Sequence, residues 1–291
     1  MEIRKKILTL YAGSDKRLGA KKMKLCLARE YCVTISDGRV YRLMKEMKLP
    51  KMSTVKPPKA AMADKEDVGA YQNLLAQQFN QKAPNLVWVS DFTYVKVAGR
   101  FYYICAIIDL YARKVIACRV SAKIDRFLAI DTLRDAVRLR GVSKGVLFHT
   151  DRGCQFTSAD FRKVIDELGM VQSFSAKGHP YDNAVMECFF KYLKKEELNR
   201  RSFQSVEQLK QSLVTYISGF YNSSRPHSHN HGMSPNHAEF LYLQSFACPL
   251  YRLWSTFPLR LSSPQYLHAD AFLFSPFQPE PYSHTTQSSY Y

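Results

Sequence analysis

The sequence predicts an α/β protein: a mixed five-stranded sheet flanked by helices, preceded by a small all-α region. Three observations carry this expectation. Residues 87–97, 101–109 and 114–121 are rich in Val, Ile, Tyr, Phe and Cys. Short turns at Ala98-Gly99-Arg100 and Tyr111-Ala112-Arg113 join them, so they read as three antiparallel strands. Helical and strand patterns then alternate to about residue 199, as in a sheet covered by helices. The first 50 residues instead hold three short helical patterns and an excess of positive charge.

The N-terminal elements come first in order. Residues 3–11 and 16–31 are short helix candidates, and a third begins at Ser36, a suitable N-cap. Val40, Leu43, Met44 and Met47 follow at i, i+3, i+4 and i+7, which is one helix face. Arg39, Arg42 and Lys45 lie off that stripe, so residues 1–50 read as a helix-turn-helix-like DNA-binding region with these three as candidate DNA contacts. The competing reading is an ordinary three-helix packing unit with a solvated basic face. Residues 51–80 read as a proline-bearing linker and a short connecting helix over 67–80.

The core is expected over 81–243. After the three strands come a helix at 125–139, a strand at 145–150, and a helix at 158–168 closed by Gly169. A strand at 170–174, a helix at 182–199 and a further helix at about 205–221 complete it. Residues 244–291 hold six of the thirteen prolines, little charge and no periodicity, so they read as an irregular tail and not a domain.

Charge narrows the function. Lys and Arg number 42 against 25 Asp and Glu, a formal net charge of +17. Residues 1–60 carry 16 basic and 5 acidic side chains, residues 61–243 carry 24 and 18, and the last 48 carry two of each. A basic N-terminal part implies a polyanionic partner, of which nucleic acid is the usual one. The seven cysteines form no C-x-x-C pair, which argues against a zinc ribbon or a disulfide framework and for a reducing cytoplasm. No apolar run reaches the length of a signal peptide or a membrane span, so no membrane association is expected.

Three acidic residues stand out. Asp91 lies inside an apolar strand pattern, Asp151 ends another, and Glu187 lies in a helical pattern that starts at Asp182. A carboxylate in a buried strand is costly unless it is paired or binds a cation. Two strands and a helix presenting one acid each suit a divalent-metal site, because Mg²⁺ takes carboxylate oxygens and keeps several waters. A pair of such ions about 3.5–4 Å apart suits in-line phosphoryl transfer. Asp109 also ends an apolar strand but precedes a tight connection, and it reads as structural.

These residues carry a family resemblance. Trp88-Val89-Ser90-Asp91-Phe92-Thr93-Tyr94, His149-Thr150-Asp151-Arg152-Gly153-Cys154-Gln155-Phe156 and Asp182-Asn183-Ala184-Val185-Met186-Glu187-Cys188-Phe189-Phe190 are its main motifs. Leu193-Lys194-Lys195-Glu196, Tyr221-Asn222 and Arg225-Pro226-His227 are further marks. With 59 residues between the aspartates and 35 before the glutamate, the chain resembles the catalytic, OrfB-type transposases of insertion sequence family three. These are relatives of retroviral integrases in the ribonuclease H-like superfamily. The resemblance covers about residues 5–240.

The resemblance implies a ribonuclease H-like integrase core with Asp91, Asp151 and Glu187 as the catalytic, metal-binding DDE triad. It implies Mg²⁺ as cofactor, with Mn²⁺ as a substitute, and Lys194 in contact with the DNA end. Lys191 and Arg152 are added as DNA-contact candidates, Arg152 because it replaces a commoner polar residue. The implied chemistry is strand cleavage at the terminal inverted repeats, attack by the freed 3′-hydroxyl through a circular intermediate, and insertion into target DNA. The implied partners are those DNAs, an upstream OrfA partner or OrfA fusion made by frameshifting, and further copies of the chain in a homo-oligomer on DNA. The implied location is bacterial, cytoplasmic and nucleoid-associated. Without the OrfA part, the chain is expected to be a fragment or a separate B subunit. Cys154 and Cys188 stand where the family usually has serine, and the tail has no counterpart. A metal-dependent nuclease on the same fold and a decayed, non-catalytic DNA-binding protein are the competing readings. A metal site at the alternating His227, His229 and His231 is set aside, because an oxygen-donor set is already in hand and no cysteine lies nearby.

Overall fold

In the computed structural model the described residues are 2–50, 71–176 and 178–251. The expected linker and most of the expected tail, residues 51–70 and 252–291, lie outside them. Helices α1 (Glu2–Gly13), α2 (Ala20–Tyr31) and α3 (Asp37–Glu46) form the N-terminal unit. The Ser36 side chain caps α3 by accepting from the Arg39 N–H, as expected. Val40 is fully buried, and Leu43, Met44 and Met47 pack beside it. Arg39, Arg42 and Lys45 are exposed on the opposite side.

Strands β1 (Val87–Val97), β2 (Arg100–Asp109), β3 (Lys114–Ser121), β4 (Leu147–Thr150) and β5 (Val171–Phe174) form one sheet in the order β3-β2-β1-β4-β5. The first three pair antiparallel, and β1, β4 and β5 pair parallel, so the sheet is mixed as expected. Ala98 and Gly99, at φ 44° and 84°, make the two-residue turn between β1 and β2. Two positive φ angles match the right-handed twist of a hairpin. One face of the sheet packs against α4 (Arg126–Arg140), α5 (Cys154–Thr157) and α6 (Ala159–Glu167) through Trp88, Ile107, Leu133, Phe148, Phe156 and Phe161. The other packs against α7 (Ala184–Glu196) and α8 (Val206–Val214), which runs on as a π-helical segment, Thr215–Tyr221. The N-terminal unit shares that second core, where Ile7, Met23 and Leu27 are buried with Val89, Phe189 and Tyr216.

Three expectations are corrected. Residues 71–80 are not helical. The Leu74 and Leu75 N–H groups donate to Ser173 Oγ, and the Asn73 and Gln77 side chains donate to Asp182, so the segment is an irregular stretch with a turn at 75–77, tied to β5 and to the start of the α7 region. The helix expected at 182–199 is shorter, bounded by 3₁₀ turns at Pro180–Asn183 and Leu198–Arg200. Helix α9 (Pro235–Tyr251) passes the boundary placed at 243, so the first residues of the 244–291 segment are helical. Its Glu239 pairs with Lys114 at 2.7 Å and with Arg140, which fixes α9 against the sheet edge.

The end of α7 is held by a buried ionic cluster. Glu196 is fully buried and accepts from Arg225 Nε at 2.8 Å, Arg225 Nη2 at 3.0 Å, Lys22 Nζ at 2.6 Å and Tyr216 OH at 2.8 Å. Glu197, also buried, pairs with Arg17 and with Arg201. Lys22 and Arg17 come from the N-terminal unit, so the cluster joins that unit to α7. Burial by itself raises the Glu196 pKa, but the hydrogen bonds and charges of Arg225 and Lys22 outweigh it and hold the carboxyl below 4.5. Ionised Glu196 therefore stabilises the fold above pH 4.5, and this contribution is lost as pH falls through the lower folded value. Replacing Glu196 with glutamine should lower the unfolding free energy at pH 7 by about 3–5 kcal/mol, because it leaves buried cations uncompensated. Denaturant titrations should also show a flatter loss of stability below pH 4.5 than the wild type shows. A change under about 1 kcal/mol would mean that the cluster is not buried in solution.

Candidate active site

The sheet register brings the two aspartates together. Val89 of β1 is directly opposite His149 of β4 in a parallel ladder. Asp91 and Asp151 each lie two residues beyond that pair, Asp151 just past the end of β4, and the charge of Asp151 is felt at Asp91. Val89 belongs to the core that contains α7, so Asp91 points to the α7 side. On α7, Met186, Phe189, Phe190 and Leu193 form the buried ridge, at i, i+3, i+4 and i+7. Glu187 and Lys194 are two turns apart on another stripe, Glu187 exposed and Lys194 half-buried.

Local contacts hold each aspartate. Asp91 Oδ1 accepts from the Phe92 N–H at 2.7 Å, and Asp151 Oδ1 from the Gly153 N–H at 3.0 Å. A Cβ at position 153 would lie 3.0 Å from Asp151 Oδ1 and 3.0 Å from Gln155 Oε1, so glycine is needed there for space. Asn183, just before α7, donates to the Ser90 carbonyl and ties the helix start to β1. Beneath Asp151, His149 lies between Ser173 Oγ at 2.9 Å from Nδ1 and Ser175 Oγ at 3.2 Å from Nε2. Ser173 Oγ already accepts two backbone N–H groups, so its proton goes to Nδ1 and the imidazole proton sits on Nε2. Burial pushes the His149 pKa down to about 4, which fits this neutral tautomer.

The site is short of positive charge. Burial raises the Asp91 pKa first, and the charges of Asp151 and Glu187 raise it further, while the Phe92 N–H and Lys194 oppose them. Burial also raises Asp151, against the Gly153 N–H. Lys194 is lowered by burial and supported by Asp91. Among the described residues no three His, Cys, Asp or Glu side chains already stand at ligand spacing. The donors nonetheless fit Mg²⁺ in kind, being hard oxygens on two packed strands and a packed helix.

The other candidates are placed as follows. Lys191 is exposed one turn past Glu187. Arg152 lies beside Asp151, but its guanidinium donates to the Ser175 carbonyl at 3.0 Å and the Tyr71 carbonyl at 3.4 Å. Cys154 and Cys188 are exposed. Asp109 is structural as expected, accepting from the Asn85 and Tyr111 N–H groups and from Arg140. His227 is buried against the Tyr221 ring, and His229 lies 2.8 Å from the Tyr111 carbonyl, so both belong to packing. The motif pair Tyr221-Asn222 is structural too, since Asn222 bonds both the N–H and the C=O of Val115 on β3. Sequence reasoning missed Glu196 as a buried anchor. Its signal is the acid that directly follows two lysines in a helix whose apolar ridge ends at Leu193.

A mixed sheet with paired aspartates at its centre and a glutamate on the covering helix defines an integrase-type core. Residues 81–180 match a family model described as the integrase core domain, residues 168–235 match a second model of that description, and residues 1–57 match an HTH-like domain. The chain is 32% identical over 217 residues to the insertion element IS600 uncharacterized 31 kDa protein of Shigella sonnei, covering 75% of this chain and 79% of that one. It is 38% identical over 168 residues to the transposase InsF for insertion sequence IS3A of Escherichia coli, covering 58% of each chain. Thus it spans less than two thirds of that transposase. Among solved structures, the catalytic core domain of BIV integrase is 19% identical, covering 57% of this chain and 99% of that one, with a TM-score of 0.41. The chain belongs to the transposases of insertion sequence family three, the IS3 family.

The uncompensated carboxylates make a stability prediction. Mg²⁺ should raise the melting temperature of the wild type by binding the folded form alone. At neutral pH Asp91→Asn should melt higher than the wild type without metal, because burial and the charges of Asp151 and Glu187 push the Asp91 pKa up to about 8, so that folding costs the wild type the uptake of a proton. It should show little further rise with Mg²⁺. A lower metal-free melting temperature for Asp91→Asn would contradict this electrostatic account.

Proposed function

We propose that the chain is a DDE transposase that cleaves DNA at the terminal inverted repeats of an insertion sequence and joins the freed 3′ ends to target DNA. The observation that supports this reading is the parallel pairing of β1 with β4 just before Asp91 and Asp151, with both Asp151 and Glu187 close enough for their charges to act on Asp91 and with α7 packed on that side of the sheet. Asp91, Asp151 and Glu187 would hold Mg²⁺, with Mn²⁺ as a substitute. Bound there, the ion supplies activation of the attacking oxygen and stabilisation of the leaving oxygen at phosphorus.

The chain's own side chains do the rest. Lys194, close enough for Asp91 to support its charge, orients a phosphate of the DNA end at the carboxylates. Lys191 extends that contact one turn back along α7. Arg152 steadies the loop after Asp151 from beneath and reaches a phosphate only if it leaves its two carbonyl partners. Arg39, Arg42 and Lys45 face solvent on α3, the third helix of the N-terminal unit, and enter the major groove. The working division is a DNA-binding region at 1–50, a connection at 51–80, a catalytic core at 81–243 and an appended segment at 244–291. The chain acts on the nucleoid as a homo-oligomer, together with an OrfA partner or as an OrfA fusion.

Two experiments test this reading. Asp91→Asn, Asp151→Asn and Glu187→Gln should each reduce cleavage and joining to background while leaving DNA affinity nearly unchanged. Near wild-type joining of pre-cleaved ends by Asp151→Asn would end the triad assignment. Arg39→Ala or Arg42→Ala should weaken binding to inverted-repeat DNA by about 1–3 kcal/mol more than binding to random DNA if the side chain reads a base. Equal losses on both DNAs, steep in salt, would make these residues phosphate contacts only.

A further inference from the structure

We propose that Tyr94 and Phe101 form a stacking platform for an unpaired DNA base beside the carboxylate site, an inference that rests on the transposase reading above. Tyr94 lies three residues beyond Asp91 on β1, so its side chain leaves the opposite face of the sheet, along a stretch of β1 that β4 no longer pairs, and Phe101 is diagonal to it across the hairpin on β2. Their rings meet edge to face with centroids 5.5 Å apart. They stay 45% and 53% exposed respectively, although they stand on the strands that build the core. Each ring carries an ammonium group. Lys194 Nζ lies 4.7 Å from the Tyr94 centroid, and Lys96 Nζ lies 6.0 Å from that of Phe101. Residues 92–103 include Lys96 and Arg100 and no acid.

Single exposed aromatics are ordinary. Two touching rings, each with a lysine over it, on a hairpin segment free of acids and joined to Asp91 through Lys194, suit a partner that is both anionic and flat. A nucleotide with its base unstacked is such a partner, because stacking on aromatic rings and neutralisation of phosphate by lysine are the two terms of single-strand binding. Lys194 links the two sites. It is near Asp91 and over Tyr94 at once, so a phosphate that draws its ammonium toward the carboxylates also uncovers the Tyr94 ring for a base. A base inside a duplex is already stacked on both faces. The platform therefore selects DNA whose strands are separated at the cleavage point, and it is tolerant of base identity.

The test uses the full chain in Ca²⁺ with two duplex probes of arbitrary sequence. One carries 2-aminopurine in a three-nucleotide single-stranded overhang, the other carries it inside a fully paired end. Binding should quench the overhang fluorescence, and Tyr94→Leu or Phe101→Leu should abolish the quench. These variants should weaken overhang binding about tenfold with little effect on the paired probe. Tyr94→Trp should keep both quench and affinity. Melting temperatures near wild type are expected for all three, since the side chains are half-exposed. A quench unaffected by both leucine variants, or equal losses on the two probes, overturns the platform and leaves the transposase reading standing. Leucine variants that change only the sedimentation of the chain overturn it in favour of a protein contact. Failure of the wild type to bind either probe overturns both readings.

Discussion

The burial of one charge, that of Glu196, is the constraint on which the arrangement of this molecule depends. A fully buried carboxylate is tolerated only with its counter-charges and hydrogen-bond donors in place, and here they come from three places in the chain. Lys22 arrives from α2, Arg225 from the loop after the π-helical segment, and Tyr216 from that segment itself. The apolar ridge of α7 restricts how the helix can roll on the sheet, and the Glu196 cluster restricts how it can slide. Glu187 and Lys194, on the remaining stripe of the same helix, are thereby held over the ends of β1 and β4. The same cluster, with Arg17 on Glu197, makes the N-terminal unit part of the core that supports the site.

Stability and chemistry pull in opposite directions along the same helix. At Glu196 the cations outnumber the acid. At Asp91 the balance is reversed, with burial and two neighbouring acids against one lysine and one N–H group. A fold selected for stability alone would place an apolar side chain at position 91, between the buried Ser90 and Thr93. Such local conflict with packing rules is characteristic of functional sites, and it is the physical content of membership in a transposase family.

Much of this was legible in the sequence where one local rule governs. The Ser36 cap, the β1–β2 hairpin and the structural role of Asp109 all follow from short-range chemistry. The adjacency of Asp91 and Asp151 was legible because each sits at a fixed offset in an apolar run, and parallel pairing then aligns them. What failed depends on distant partners. Residues 71–80 were expected to be helical, but Ser173 and Asp182, about 100 residues away, take their N–H and amide groups. The extension of α9 past 243 follows Glu239, which finds Lys114 and Arg140 across the fold. The role of Arg225 was hidden for the same reason, since its partner Glu196 lies 29 residues away in the chain.

We propose that β1, β4 and α7 present Asp91, Asp151 and Glu187 to one shared cation site. The most direct measurement is a crystal structure of the chain soaked with Mn²⁺, with the ion located by its anomalous signal. The account predicts manganese with oxygens of Asp91 and Asp151 as ligands at about 2.0–2.2 Å, and the Glu187 carboxylate drawn toward it from solvent. Manganese bound at another cluster, or bound with Glu187 still pointing away while Asp91 keeps only its Phe92 N–H contact, would contradict it.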